Sequence, residues 1–231
     1  MLDIVNQNNW KRPIYFTGGS YGDDDYIWMK DYLQLDGMCF KLVPIKTSSD
    51  SPSPMSMGQI DSEKMYEIVM KWDWGNSGKS NMYYDVETRK NSISYRTNLA
   101  RLVETLINEG KMDKAEKVID LAMEKMPIKY FEYYAFLEPF AIGYYEVGKK
   151  EKARVIISEV IKKYQENLTF YSGWKPSEQN FSAMDIITDI EQYRNFIKIA
   201  KAAEDLDFYN KEKVKFNNFN KMFARFGRKM E

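Results

Sequence analysis

The chain contains no histidine. That absence removes imidazole general-base catalysis, the Ser-His-Asp triad and every His-ligated metal site. Cysteine is nearly absent too. Cys39 is the only one, so neither an internal disulfide nor a multi-thiolate zinc site can form, and cysteine usage leaves the compartment open. Between Met38 and Phe40 the thiol reads as a small buried apolar residue rather than a nucleophile. Neither sign of charge is in excess: 34 basic and 34 acidic residues sum to zero, which gives no global attraction to nucleic acid or anionic lipid. No run of about 18 uncharged apolar residues occurs, so no segment reads as a membrane span. The opening MLDIVNQNNW lacks a basic region followed by an apolar stretch and is not a signal peptide. Its direct entry into a structured-looking motif reads as a piece of a longer protein.

What is present is 44% hydrophobic and 29% charged, as expected of a soluble globular protein. The organising stretch is Arg96 to Pro127, two antiparallel helices joined at Gly110. With Arg96 as the first position of a 34-residue unit, Leu99, Leu102, Leu106, Gly110, Ala115, Ile119, Ala122 and Pro127 fall at the signature offsets of a tetratricopeptide repeat. The alanines allow the two helices to approach closely. A second hairpin is expected from about Tyr130 to Tyr164. Aligning Gly148 with Gly110 there puts Leu137, Phe140, Tyr144, Ala153, Ile157 and Val160 at equivalent offsets. A long helix over about 177–204 and a last one over about 207–226 would form a third, degenerate hairpin that caps the stack.

The N-terminal part reads differently. PIYFTG is a short β-type run, a helix over about 26–35 follows, and MCFKLVPI is a second strand, with Pro44 marking an edge or the strand's end. The spacing suits a strand–helix–strand unit with parallel strands. Asp23 to Asp25 are placed to cap the helix. A Ser/Pro-rich connector covers 47–60. Asp61 caps a helix over about 62–72, and residues 85–92 lead into the first repeat. The expected fold is mainly α: a tetratricopeptide-like α-α superhelix over 94–231, a connector with one helix over 48–93, and a small α/β unit over 1–47.

Motifs for chemistry are sparse. GNSGKS has two residues between its glycines where a phosphate-binding loop needs four, and no apolar strand precedes it, so it reads as an exposed turn. YFTGGSYG could cradle a phosphate through backbone N–H groups, but the three neighbouring aspartates would repel an anion. Those aspartates could hold calcium, yet the ligand alternation of a calcium loop is missing. Asn167 and Asn180 open glycosylation-type triplets, a pattern that arises often by chance. No metal or cofactor is called for. A repeat scaffold binds partners on the face lined by its first helices. That face is expected to present Thr97, Arg101, Glu104 and Asn108, then Glu138, Tyr145 and Glu146. The cluster of Tyr130, Phe131, Tyr133 and Tyr134 would either stack on a sugar or peptide or pack between hairpins.

The segments NNWKRPIYFTGG, DYLQLDGMCFKLVPIKT and KWDWGN resemble the C-terminal soluble region of bacterial polytopic membrane proteins of the protein O-mannosyltransferase-like class, within the GT-C glycosyltransferases. Trp10, Arg12, Pro13, Tyr15, Phe16, Tyr32, Leu33, Gly37, Leu42, Val43 and Pro44 carry the resemblance, which is densest over 8–46 and 72–127. The resemblance implies tetratricopeptide-like hairpins after the α/β unit and a location on the periplasmic side of the cytoplasmic membrane. It also implies membrane helices and any catalytic acid upstream of these residues, so no catalytic residue carries over. The expected function is a non-catalytic interaction domain that binds or positions acceptor protein, glycan or another subunit. It would meet no nucleic acid, and would meet the membrane only through an upstream part of a parent chain. Two alternatives stand: a carbohydrate-active enzyme domain using paired carboxylates in an aromatic cleft, and a free-standing cytosolic repeat scaffold.

Overall fold

The computed structural model describes residues 2–17, 26–47 and 57–226. The chain divides into two compact units, Met1–Lys125 and Met126–Glu231. It is mainly helical, with one small sheet near the N-terminus.

The first unit opens with α1 (Leu2–Asn8) and three short strands, β1 (Tyr15–Phe16), β2 (Leu33–Asp36) and β3 (Cys39–Leu42). The order is β1-β3-β2 and every pair is antiparallel. This corrects the expected parallel strand–helix–strand unit. The intervening helix is only a 3-10 turn over Ile27–Tyr32, and the residues after it become β2. Leu33 and Leu35 alternate with Gln34, the period of a strand with one face in the core. Asp36 and Cys39 then pair across a two-residue loop in which Gly37 takes φ 71°, the positive φ that such a tight hairpin requires at its first position. With β3 in the middle of the sheet, Pro44 marks the end of a strand and not an edge. Leu33, Leu42, Met29, Tyr26 and Met57 form a buried cluster on one face. Tyr15, Gln34, Asp36, Cys39 and Lys41 occupy the other by register. The aspartates at 23–25, the glycine loop beside them and most of the Ser/Pro connector lie outside the described residues.

Among the described residues, three further helices complete this unit: α2 (Ser62–Val69), α3 (Val86–Asn108) and α4 (Met112–Lys125). Asp61 caps α2, accepting the Lys64 N–H at 3.1 Å. The helix stops three residues earlier than expected. Asp85 caps α3, accepting the N–H groups of Glu87 and Thr88 at 2.9 and 3.0 Å. The residues expected to lead into the first repeat are therefore already helical. Leu99, Leu102, Leu106, Ala115, Ile119 and Ala122 are fully buried where α3 packs on α4.

The second unit holds α5 (Ile128–Phe131), a 3-10 turn (Tyr134–Leu137), α6 (Glu138–Glu146), α7 (Lys150–Ser172), α8 (Pro176–Phe181), α9 (Ala183–Ala202) and α10 (Leu206–Met222). The single long helix expected over 177–204 is broken between α8 and α9 at Ser182. Helices α6 and α7 pair, α9 and α10 pair, and α9 packs on both α6 and α7.

The turns within the α3/α4, α6/α7 and α9/α10 pairs are closed alike. The N–H of Lys111 reaches the carbonyl of Leu106 at 2.8 Å, that of Lys149 reaches Tyr144 at 2.7 Å, and that of Asp205 reaches Ala200 at 2.8 Å. Each is the six-to-one bond that satisfies an orphan carbonyl at a helix end. The residue just before is left-handed in all three: Gly110 and Gly148 at φ 75°, Glu204 at φ 57°. The third hairpin thus repeats the turn without its glycine.

Candidate functional site

On α6, residues Glu138, Ile142, Tyr145 and Glu146 fall at i, i+4, i+7 and i+8, and so share one helix face. On α9, Asn195, Lys198, Ile199 and Ala202 do the same, and Ala203, which caps the helix, continues that face. The two faces line a groove of about 440 Å³ within the second unit, a volume in the range of ligand sites. Ile142, Ile199, Ala202 and Ala203 give it an apolar surface, and the alanines leave it open because they project so little.

The groove's polar groups differ in what holds them. Tyr145 donates its hydroxyl to Asp205 Oδ2 at 2.9 Å, which fixes the ring as a wall. Burial, then the hydrogen bond to Asp205 and its negative charge, push the phenol well above its ordinary value. Asp205 is itself buried and accepts from Arg154 Nε and Nη2, both at 2.7 Å, with Lys150 Nζ at 3.0 Å. The Arg154 guanidinium, with Lys150 and Tyr145, holds this carboxyl far below the usual carboxylate range against the opposing effect of burial. Glu138 is the contrast. Its half-buried carboxylate makes no side-chain hydrogen bond or ion pair with a described residue, and burial raises its pKa.

The expected binding residues separate. Glu138 and Tyr145 come together in the groove with Glu146. Arg101, Glu104 and Asn108 lie on α3 of the first unit. Arg101 donates to the carbonyls of Met57 and Gly58 at 2.9 and 2.6 Å and pins that segment, while Glu104 and Asn108 are exposed. Tyr130 is half-buried beneath the Lys129 ammonium, 5.5 Å from its ring centre. Tyr133 sits in a left-handed backbone at φ 47°. Tyr134 packs edge-on against Tyr164, with centroids 5.9 Å apart, inside the second unit. Sequence reasoning missed Ile142, Asn195, Lys198, Ile199, Ala202 and Ala203. The signal was available on α6, where 138, 142, 145 and 146 keep helical spacing. It was hidden on α9, because nothing in the sequence shows that α9 lies beside α6.

Two other constellations look chemical and are spoken for. Ser62 donates to Glu109 Oε2 and accepts from Lys111 Nζ at 2.8 Å. A Ser/Lys pair needs a neutral amine to act as base, and Lys111 is bracketed by Glu63 and Glu109 at 2.6 Å each. Those carboxylates raise its pKa and hold it protonated. Lys111 and Lys114 in turn draw the exposed Glu63 carboxyl down to about 2. The cluster ties α2 to the turn between α3 and α4. The GNSGKS turn is equally structural: the Gly78 N–H binds the Tyr84 hydroxyl at 2.9 Å, and Ser77 Oγ donates to the Lys125 carbonyl at 2.6 Å.

Residues 1–64 match the family described as TMEM260-associated domain 2. The matched stretch holds the whole sheet and the opening of α2, with the polar face that carries Asp36, and it stops short of every helical hairpin. No curated protein and no solved structure matches the chain. Among the described residues, no helix is long and apolar enough to cross a membrane, and no group of three or more Cys, Asp or Glu side chains is placed to hold a metal.

Proposed function

We propose that this chain is a non-catalytic interaction domain, and that its second unit holds a polypeptide segment, of an acceptor protein or another subunit, in the groove between α6 and α9. The observation that carries the reading is the groove itself: two helix faces, open and mostly apolar, with unpaired polar groups at the margins. A glycan is the poorer fit, because sugars favour flat exposed rings and abundant hydrogen-bond partners. Here the one ring is a wall with its hydroxyl committed to Asp205.

The wider setting belongs to the same proposal. Tetratricopeptide-like hairpins at the end of a GT-C glycosyltransferase-like membrane protein, on the periplasmic side, would place the groove beside the emerging acceptor. The family match over 1–64 overlaps residues 8–46, one of the two stretches where the resemblance to that class is densest.

Paired-carboxylate chemistry finds less support. Glu138 and Glu146 stand eight residues apart on one helix, about 12 Å at 1.5 Å per residue, wider than the roughly 5–9.5 Å that flanks a glycosidic bond. Asp185 and Asp189 are closer, and their charges raise the Tyr171 phenol beyond what burial does. Yet they project from the same side of one helix, four residues apart, instead of facing each other across a cleft.

The test is a titration of the full chain, followed by amide chemical shifts, with pools of acetylated hexapeptides and separately with linear oligosaccharides. Peptide pools are expected to shift α6 and α9 resonances, and Ala203→Trp, which fills the groove, to abolish the shifts. Shifts there with sugars and not with peptides would overturn the reading.

A further inference from the structure

The groove is not chemically symmetric. The α6 wall carries Glu138 and Glu146, and the α9 wall carries Asn195 and Lys198. None of these four side chains makes a hydrogen bond or ion pair with another described residue, whereas Arg154, Asp205, Lys150 and Tyr145 close by are fully engaged with one another. Glu138 stands out among the four. It is half-buried, and burying a charge without a partner is unfavourable. A cation arriving at that wall relieves this cost most fully, because it brings a counter-charge as well as a hydrogen-bond donor; a neutral donor brings only the second, and an anion neither. Next to it on the same face, Ile142 is 41% exposed, an aliphatic contact one helical turn away that faces the open groove along with Ile199.

Resting on the reading of the groove as a polypeptide site, we propose that it selects a segment bearing an arginine or lysine adjacent to an aliphatic side chain, with Glu138 as the residue that reads the charge. The aliphatic side chain covers Ile142 and Ile199, over the space left by Ala202 and Ala203. The cation pairs with Glu138. Lys198 and Asn195, on the opposite wall, are donors for the segment's backbone carbonyls and disfavour a second cation there, so the charge has one preferred side. An acidic segment would set its carboxylate against the α6 wall and lose affinity on the side where Glu138 has no counter-ion.

A positional-scanning library of acetylated, amidated hexapeptides, applied to the full chain, tests this. Arg or Lys is expected to be enriched at one position, with Leu, Ile, Val or Met beside it. Glu138→Gln is expected to weaken the selected basic peptides roughly tenfold, the scale of one charge-assisted hydrogen bond, while peptides with only aliphatic side chains keep their affinity. Glu138→Lys is expected to turn the preference toward acidic residues. Pools that shift the groove resonances without a basic preference, or with one that Glu138→Gln leaves unchanged, overturn this inference alone. Absence of any peptide binding at the groove overturns it together with the reading on which it rests.

Discussion

Replacing Asp205 by asparagine isolates the contact that fixes Tyr145 and the α9/α10 turn. The carboxylate side chain is 1% exposed and accepts both 2.7 Å bonds from Arg154 and the 2.9 Å bond from Tyr145. Asparagine has the same shape, but one of its two acceptors becomes a donor that faces another donor. Breaking a fully buried pair costs about 3–5 kcal/mol. Here the cations are partly exposed and recover some hydration, so the expected loss is about 2–3 kcal/mol, or a Tm lower by roughly 5–10 °C. Urea unfolding followed by far-UV circular dichroism reads it. The pH dependence gives a second arm. The folded-state pKa of Asp205 is depressed, so its contribution is complete above the unfolded value of about 3.9 and disappears as pH falls toward the folded value. The gap between wild type and Asp205→Asn should hold steady from neutral pH to about pH 5 and narrow below about pH 4. Equal stabilities at neutral pH, or a gap that persists in acid, would refute the reasoning.

The helix turns give predictions of opposite sign. An alanine at Gly148 meets no atom within 4 Å but must adopt φ 75°, so Gly148→Ala is expected to cost about 1–2 kcal/mol in the urea midpoint, for conformational reasons alone. Glu204 already occupies that region at φ 57°, and Glu204→Gly is expected to add about 1 kcal/mol by the same assay. At Gly78 the reason is space. A Cβ there would collide with the Glu124 carbonyl oxygen, in addition to the strain of φ 89°, so Gly78→Ala should lift the 75–84 turn off the end of α4 and raise its rate of limited proteolysis severalfold, with the rest of the unit intact.

Helix faces were legible in the sequence because their period is local. Leu99, Leu102 and Leu106 could be assigned to one face, and Ala115, Ile119 and Ala122 to the other, without knowing anything distant. The left-handed turns at Gly110 and Gly148 were legible for the same reason, since only glycine reaches that backbone without strain. The third turn was obscured because Glu204 occupies a position where glycine is the expected signal. The sheet was misread because Leu33-Gln34-Leu35 is too short to separate a two-residue period from a helical one, and because the partner of β2 is chosen by the loop at Gly37.

By itself, then, the chain's order of residues determined which long segments coil within the hairpins, where the glycine turns close them and which stripe each hides, and the lack of histidine closed off whole classes of chemistry. Tertiary structure decided the rest. Only packing could put α9 beside α6, bring Arg154 and Tyr145 onto Asp205 from distant positions, and leave Glu138 without a partner. Those are relations between elements far apart along the chain, and their free energies depend on distance and desolvation, neither of which a linear spacing encodes.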